Sequence, residues 1–247
     1  MDAHHTSGVS ISCLSEADSV AASLSADLGV GFADFDAAMA MTPETMVEVA
    51  SLSKTVAAAF ALEYFAAKKI PMTTSVNQLL AEARAEFRLQ AGAGVPEAWA
   101  DEVTLAHLVN HTGLGMHYVP GISRSSAMPP AEELVMGQHE SELGYPEIKV
   151  LKRPGVEFGY SGGGFLVLQT LLEAMEQRDI EDIMRPFLDS CGMRDFTFRQ
   201  EDLPGFQYAQ GYFDDGSKVP DGRLMFPALA AGGLGTTRAL ANFWRHL

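Results

Sequence analysis

The sequence contains few of the residues on which several classes of protein depend. Only two of its 247 residues are cysteines, Cys13 and Cys191, too few for a disulfide framework or a zinc site with four cysteine ligands. We expect two reduced, buried thiols, the alternative being one disulfide between them. The longest apolar run, residues 56–65, contains Glu63 and falls short of the roughly 20 residues that a membrane helix needs. We therefore expect no membrane span.

Basic residues are also scarce, 17 against 32 acidic ones, which gives a net charge of −15. Such a charge repels phosphate backbones and anionic lipid, so nucleic acid and membrane surfaces are poor partners, and we expect neither nucleic-acid binding nor a membrane span. The N-terminus has neither the basic start nor the apolar run of a secretion signal, and we expect a cytoplasmic location. Apolar residues make up 47% of the chain, close to the globular average. A chain of this length can form one domain with a sizeable core.

Hydrophobic patterning predicts strands first and helices afterwards. A strand at 8–14 places Val9, Ile11 and Cys13 on one face, and a returning strand is predicted at 19–26. Helices are predicted from Thr42, at 51–69, at 104–110, at 165–175 and from Thr237, and a polar helix with a glycine-containing loop is predicted within 73–95. Residues 115–158 are rich in loops, and residues 204–232 combine loops with short strands. Because strands and helices do not alternate regularly, we predict an α+β fold.

The strongest candidate for chemistry is Ser51 followed by Lys54 at the start of an apolar helix. Residues three apart share a helix face, so the amine can reach the hydroxyl. A serine needs an adjacent base to become a nucleophile, and a lysine is such a base only where burial or positive charge lowers its pKa. A capping serine with a solvated lysine is the structural alternative on spacing alone.

Tyr160 begins a second candidate, because the three glycines at 162–164 leave room to present its phenol to a cleft. A phenolate beside a lysine can relay protons between a nucleophile and a leaving group. The same stretch also fits G-x-S-x-G, which would make Ser161 the nucleophile of an α/β-hydrolase. The only later histidine for that triad is His246. A packed tyrosine in a turn is the structural alternative.

Two further patterns favour structural roles. His107 and His111 have the spacing of zinc ligands, but residue 108 is leucine and no third ligand is evident. Gly232-Gly233-Leu234-Gly235 lacks the Lys-Ser/Thr of a phosphate loop, so we interpret it as close backbone packing. We expect no metal and no cofactor.

Four segments together resemble the serine β-lactamase and penicillin-binding-protein superfamily, in particular its class C β-lactamase-like esterase and peptidase branch. They are VASLSKT at 49–55, LVNHTGL at 108–114, FGYSGGGF at 158–165 and AGGLGTT at 231–237. The segments occur in the family's order and at family-like separations. The resemblance favours the catalytic interpretation of Ser51 and Lys54 over the capping one.

The resemblance implies an antiparallel sheet flanked by helices, with a mainly helical region beside it. Ser51 would be the acylated nucleophile and Lys54 its base, while Tyr160 would carry the proton to the leaving group and later activate water. The backbone N–H of Ser51 would form half of the oxyanion hole. Ser161 and Gly162 are assigned to substrate binding. The family often has asparagine at the position of Gly162, where it holds a substrate amide, so we favour ester hydrolysis over β-lactamase or D,D-peptidase activity.

The family's third motif, Lys-Thr-Gly or His-x-Gly on a strand, is missing. We therefore expect a single catalytic domain that is incomplete at its C-terminus, with sheet strands in 1–50, a mainly helical region in 51–235 and the start of a final helix in 236–247. Losing one oxyanion donor costs about 10²–10³ in rate. The predicted function is a serine hydrolase acting on a small ester or amide. Alternatives are an α/β-hydrolase that uses Ser161 and a non-catalytic penicillin-binding sensor or scaffold.

Overall fold

The computed structural model describes residues 6–13 and 27–247, which form small β-sheets around a mainly helical body. The strands are β1 (Gly8–Ser12), β2 (Asp27–Asp34), β3 (Met39–Ala40), β4 (Val47–Glu48), β5 (Gln90–Ala91), β6 (Ile122–Ser123), β7 (Lys149–Val150), β8 (Phe196–Thr197), β9 (Leu224–Met225) and β10 (Leu234–Gly235). The helices are α1 (Leu52–Ala67), α2 (Val76–Glu82), α3 (Ala98–Glu102), α4 (Leu105–Val109), α5 (Ala131–Val135), α6 (Glu140–Leu143), α7 (Gly162–Glu176), α8 (Ile180–Ser190), α9 (Ala228–Ala231) and α10 (Thr237–His246).

The strands pair in four groups within the described residues. β1, β2 and β3 form an antiparallel sheet in that order, and β10 lies between β4 and β8 in a second antiparallel sheet. β5 pairs in parallel with β7, and β6 pairs antiparallel with β9. In the second sheet Leu234 lies opposite both Glu48 and Thr197. This pairing fixes the end of β4, and the chain enters α1 after three intervening residues.

The core is built around α7, whose first eleven residues are all buried. The helix packs against α4, α5, α8 and α9. Its first turn has glycines because neighbouring chain lies very close: a Cβ at Gly162 would be 2.7 Å from Val119 Cγ2, and one at Gly163 would be 2.7 Å from His117 Cβ. Packing thus overrides the low helix propensity of glycine.

Most of the predicted elements are confirmed, including the α+β class. The strand at 8–14 is β1, although its apolar face is outward, with Val9 41% and Ile11 43% exposed. The helices predicted at 51–69, 104–110 and 165–175 are α1, α4 and α7. The returning strand predicted at 19–26 lies outside the described residues.

Three predictions about secondary structure need correction. The helix expected from Thr42 is wrong: the Thr45 hydroxyl accepts a hydrogen bond from the Thr42 N–H at 3.0 Å, which closes a turn that leads into β4. The helix expected over 73–95 is only the seven residues of α2. The final helix is capped by Thr236 rather than Thr237, its hydroxyl accepting from the N–H of Ala239.

The two thiols differ from expectation in one respect. Both are unpaired, but only Cys191 is buried, whereas Cys13 is exposed beyond the end of β1. Among the helices of residues 6–13 and 27–247, none combines the length and the apolar character needed to cross a bilayer.

Gly233 gives a first test of the packing around β10. A Cβ there would lie 2.7 Å from Phe196 Cζ, 2.8 Å from Ser53 Oγ and 2.9 Å from Val49 Cγ2. We expect Gly233→Ala to lower the free energy of unfolding by about 1–3 kcal/mol, measured by urea denaturation. The matched control is Gly164→Ala in α7, where the new Cβ would meet nothing closer than 3.5 Å and stability should stay equal or rise. Equal losses in both variants would contradict the packing argument.

Candidate active site

Ser51 lies where the chain passes from β4 into α1. The preceding residue, Ala50, has φ of +47°, a left-handed conformation that costs a non-glycine residue about 1 kcal/mol or more. The buried Ser53 supports this turn, since its hydroxyl donates to the Ala50 carbonyl at 2.6 Å and accepts from the Gly233 N–H at 2.9 Å. Ser51 is the N-cap of α1, but its side chain makes no capping bond. Its hydroxyl is therefore exposed at the helix N-terminus.

Two side chains converge on this hydroxyl. Lys54 Nζ lies 3.3 Å and Tyr160 Oη 2.7 Å from Ser51 Oγ. Lys54 Nζ is also 5.0 Å from the centre of the Tyr160 ring. The structure thus brings together the three residues that the sequence predicts as catalytic.

The amine and the two hydroxyls differ in their contact with solvent. Lys54 is only 6% exposed and donates a hydrogen bond to the Ala230 carbonyl in α9. Tyr160 is 45% exposed, and Ser51 is exposed beside it. A molecule arriving from solvent would meet the two hydroxyls first, with the amine behind them.

The electrostatics of the site favour ionisation of Tyr160. Partial burial raises the pKa of its phenol, but the hydrogen bonds with Ser51 and Lys54, together with the Lys54 charge, outweigh that effect and hold the pKa below the ordinary value of 10. A phenolate in this position can accept a proton from Ser51 Oγ without leaving its place.

His111 holds Tyr160 from the other side. Its ring centre is 4.6 Å from that of Tyr160, and its Nδ1 accepts the N–H of Ser161 at 3.1 Å. Burial, and next to it the charge of Lys54, lower the pKa of His111. The imidazole therefore stays neutral at neutral pH, as its acceptor role requires.

Ser161 and Gly162, both predicted to bind substrate, lie at the buried start of α7. Ser161 is 2% exposed, and its hydroxyl accepts from the Gly164 N–H at 3.2 Å as the cap of the helix. The place where a side chain at Gly162 would begin is filled by Val119. Both residues therefore have a structural role at the start of α7, and nothing in the geometry supports the predicted contact of their side chains with substrate.

The other two patterns have visible structural roles. His107 completes a capping box with Thr104 at the start of α4. The 232–235 segment packs closely, as predicted: a Cβ at Gly232 would lie 2.4 Å from the Phe226 carbonyl oxygen. Within residues 6–13 and 27–247, no group of three or more potential ligand side chains could hold a metal ion.

Sequence reasoning missed the supports of the site. Gly233 contacts Ser53 across 180 residues of chain, and the Ala230 carbonyl contacts Lys54 across 176 residues, which no local pattern predicts. His111 lies in the 108–114 segment that resembles the family, which indicates a position near the site. Its ring contact with Tyr160, however, depends on the tertiary fold.

Comparisons with known proteins concern the family and the fold of the chain. The family model described as Beta-lactamase matches residues 1–247. An octameric penicillin-binding protein homologue from Pyrococcus abyssi superposes with a TM-score of 0.70 at 19% identity, over 99% of this chain and 53% of its own. A D-alanine carboxypeptidase from Burkholderia cenocepacia gives 0.63 at 19%, over 89% and 54%. EstCE1, a hydrolase with promiscuous acyltransferase activity, gives 0.62 at 18%, over 88% and 62%.

The chain spans between 53% and 62% of the length of these three structures. No curated protein matches the sequence. The shared fold is the predicted β-lactamase/transpeptidase-like one. The alternative of an α/β-hydrolase fold with Ser161 as nucleophile is therefore wrong, and the burial of that hydroxyl in the cap of α7 gives the physical reason.

Proposed function

The chain belongs to the beta-lactamase family, and from this premise we propose that it is a serine hydrolase that forms an acyl-enzyme on Ser51 and acts on esters. One observation carries the proposal: Ser51 Oγ is exposed at a helix N-terminus within hydrogen-bonding distance of both Lys54 Nζ and Tyr160 Oη. A hydroxyl so placed has the adjacent base that nucleophilic catalysis requires.

In the proposed reaction Ser51 Oγ attacks the ester carbonyl carbon. Its proton passes to the pair formed by Lys54 and Tyr160, and Tyr160, on the exposed side, hands it to the departing alkoxide oxygen. The carbonyl oxygen gains negative charge in this step. The N–H of Ser51, which has no acceptor among the described residues, is placed to stabilise that charge with the positive end of α1. Water then attacks the acyl group, and the same pair removes its proton.

An ester is favoured over an amide by the closed space at Gly162. The resemblance to the family calls for an asparagine there to hold a substrate amide, and Val119 Cγ2 would be 2.7 Å from any Cβ at this position. An ester needs no such contact, since it has no amide N–H to bind, and its leaving group is better.

Apolar side chains around the site favour an apolar acyl group. Phe158 is 68% exposed, and its ring lies 5.7 Å from that of His111, which in turn stacks on Tyr160. Met116 and Tyr118 are similarly exposed on the neighbouring segment. Exposed apolar side chains on segments beside the nucleophile suit a short alkyl chain.

The proposal is tested with p-nitrophenyl butyrate in rapid-mixing kinetics and intact mass spectrometry. We expect a burst of p-nitrophenol and a butyryl adduct on Ser51, followed by slower turnover, with the matched p-nitroanilide reacting far more slowly. A lasting adduct that never turns over would favour the non-catalytic sensor. A folded protein with neither burst nor adduct would contradict the proposal.

The pH dependence follows from Tyr160. A phenol whose pKa lies below its ordinary value is deprotonated over more of the pH range, so its activity as a base is gained as pH rises through that pKa and is lost below it. We expect kcat/KM to rise with pH, with a midpoint below the ordinary value of about 10 for the pKa of tyrosine. Tyr160→Phe should remove this rise of kcat/KM with pH and lower the highest kcat/KM by about 10²–10³. A wild-type profile that is flat would contradict the role of Tyr160.

A further inference from the structure

A concave site lies away from the serine. It is a cleft of about 660 Å³ between α5, the C-terminal half of α7, the start of α8 and the segments near Phe198 and Phe226. None of Ser51, Lys54 and Tyr160 lines it. The volume falls in the range of sites that bind small molecules, about 300–1,000 Å³.

The cleft carries an excess of negative charge. Its lining contains four carboxylates and two guanidiniums: Glu173, Asp179, Asp182, Glu201, Arg178 and Arg199. Both guanidiniums are already engaged at its rim. Arg199 lies 3.1 Å from the Asp182 carboxylate and 3.8 Å from that of Glu201, and Arg178 donates to the Asp182 carbonyl at 2.8 Å.

Glu173 and Asp179 are the two lining carboxylates that make no ion pair among the described residues, and Asp179 is already engaged as the cap of α8, where it accepts the Glu181 N–H. Glu173 is half-buried in α7, and its Oε1 accepts from Gln169 Nε2 at 3.0 Å, while no ion pair reaches it from the residues that the structure describes. Burial, opposed by the Gln169 hydrogen bond and reinforced by the charges of Asp179 and Glu132, raises its pKa to about 7. A carboxylate held in partly apolar surroundings with an unmatched charge gains from a cation that brings its own apolar surface.

The apolar part of the lining suits such a ligand. Phe198 and Phe226 line the cleft together with Met128 and Leu134. Aromatic faces attract organic cations as well as apolar groups. Gln169 also fixes the geometry, because its Oε1 accepts the Leu229 N–H at 3.4 Å while its amide group holds Glu173.

We propose that this cleft is a binding site for a small organic cation, an ammonium group on an apolar body, with the ammonium seated on the Glu173 carboxylate. The charged groups that face Glu173 are Asp179, Asp182 and Arg178 from the start of α8, Glu132 from α5, and Arg199 and Glu201 from the segment after β8. Binding should strengthen as pH rises through the titration of Glu173, since the cation pairs with the ionised form.

The probe is phenethylammonium, measured by isothermal titration calorimetry on the full chain. The matched ligands are 2-phenylethanol, which is neutral, and phenylacetate, which is an anion. We expect saturable binding of the cation, at least about tenfold tighter than that of the alcohol, and strengthening between about pH 5.5 and 8.5. Tighter binding of phenylacetate would mean that Arg178 and Arg199 govern the cleft, and it would overturn the proposal.

Two variants locate the contact. Glu173→Gln should weaken binding of the cation about tenfold at alkaline pH and remove its pH dependence. Glu176→Gln, in the same helix but outside the lining, should leave both unchanged. Equal affinity of wild type and Glu173→Gln, or no saturable binding by the wild type, would overturn the proposal. Because no ester is turned over in this experiment, its result is independent of the function proposed for Ser51.

Discussion

Replacing Ser51 with alanine is expected to reduce hydrolysis of p-nitrophenyl butyrate by at least about 10⁴-fold and to abolish the burst. The physical reason is that the acyl group is expected to join Ser51 Oγ, the hydroxyl at which Lys54 Nζ and Tyr160 Oη both meet. The substitution removes one exposed oxygen that makes no capping bond, so the fold should be unaffected. Initial rates and thermal melting of the same samples measure both expectations.

The matched control is Ser190→Ala. This hydroxyl donates to the Phe187 carbonyl at 2.7 Å at the end of α8, far along the chain from the proposed nucleophile. Its loss should leave the hydrolysis rate unchanged. A Ser51→Ala protein that retains the burst would show that another residue is acylated.

The second large effect is expected for Lys54→Met, which keeps a long apolar side chain and removes the amine. We expect kcat/KM for the ester to fall by about 10³, the usual size of a lost general base. The amine is 3.3 Å from Ser51 Oγ and almost wholly buried, so water is poorly placed to substitute for it. The Ala230 carbonyl loses its donor, which costs about 1–3 kcal/mol of stability.

Lys68→Met is the control for this substitution. Lys68 is the C-cap of α1, is 43% exposed in its side chain and pairs with Glu176 at 2.8 Å. Lys68→Met removes an amine that belongs to the same helix but is exposed instead of buried. The rate of ester hydrolysis should therefore stay within about twofold of the wild-type rate. A Lys54→Met protein that is folded and retains its rate would contradict the proposed role of the amine.

The sequence predicted the residues of the candidate site because their spacing is local. Ser51 and Lys54 are one helical turn apart, and the apolar run after them predicts the buried face that encloses the amine. The role of Tyr160 is predicted by the three glycines that follow it in the sequence and by the family resemblance. The fold class followed from the order of strands and helices.

What the sequence could not predict depends on contacts distant in the chain. The left-handed Ala50 is held by Ser53, which is in turn fixed by Gly233 in β10. The turn at Thr42 has the composition of a helix start, but pairing of β4 with β10 takes the next residues into a sheet. The sequence could not predict which face of β1 is exposed and which is half-buried, since alternation alone does not say which face meets the core.

The most direct test of the central claim is to map the adduct that a fluorophosphonate leaves on the chain, using peptide mass spectrometry of wild type and Lys54→Met. The account predicts a phosphonyl group on Ser51 of the wild type, formed about 10³ times more slowly in the variant. An adduct on Ser161 or elsewhere, or none in a protein that melts cooperatively, would contradict it.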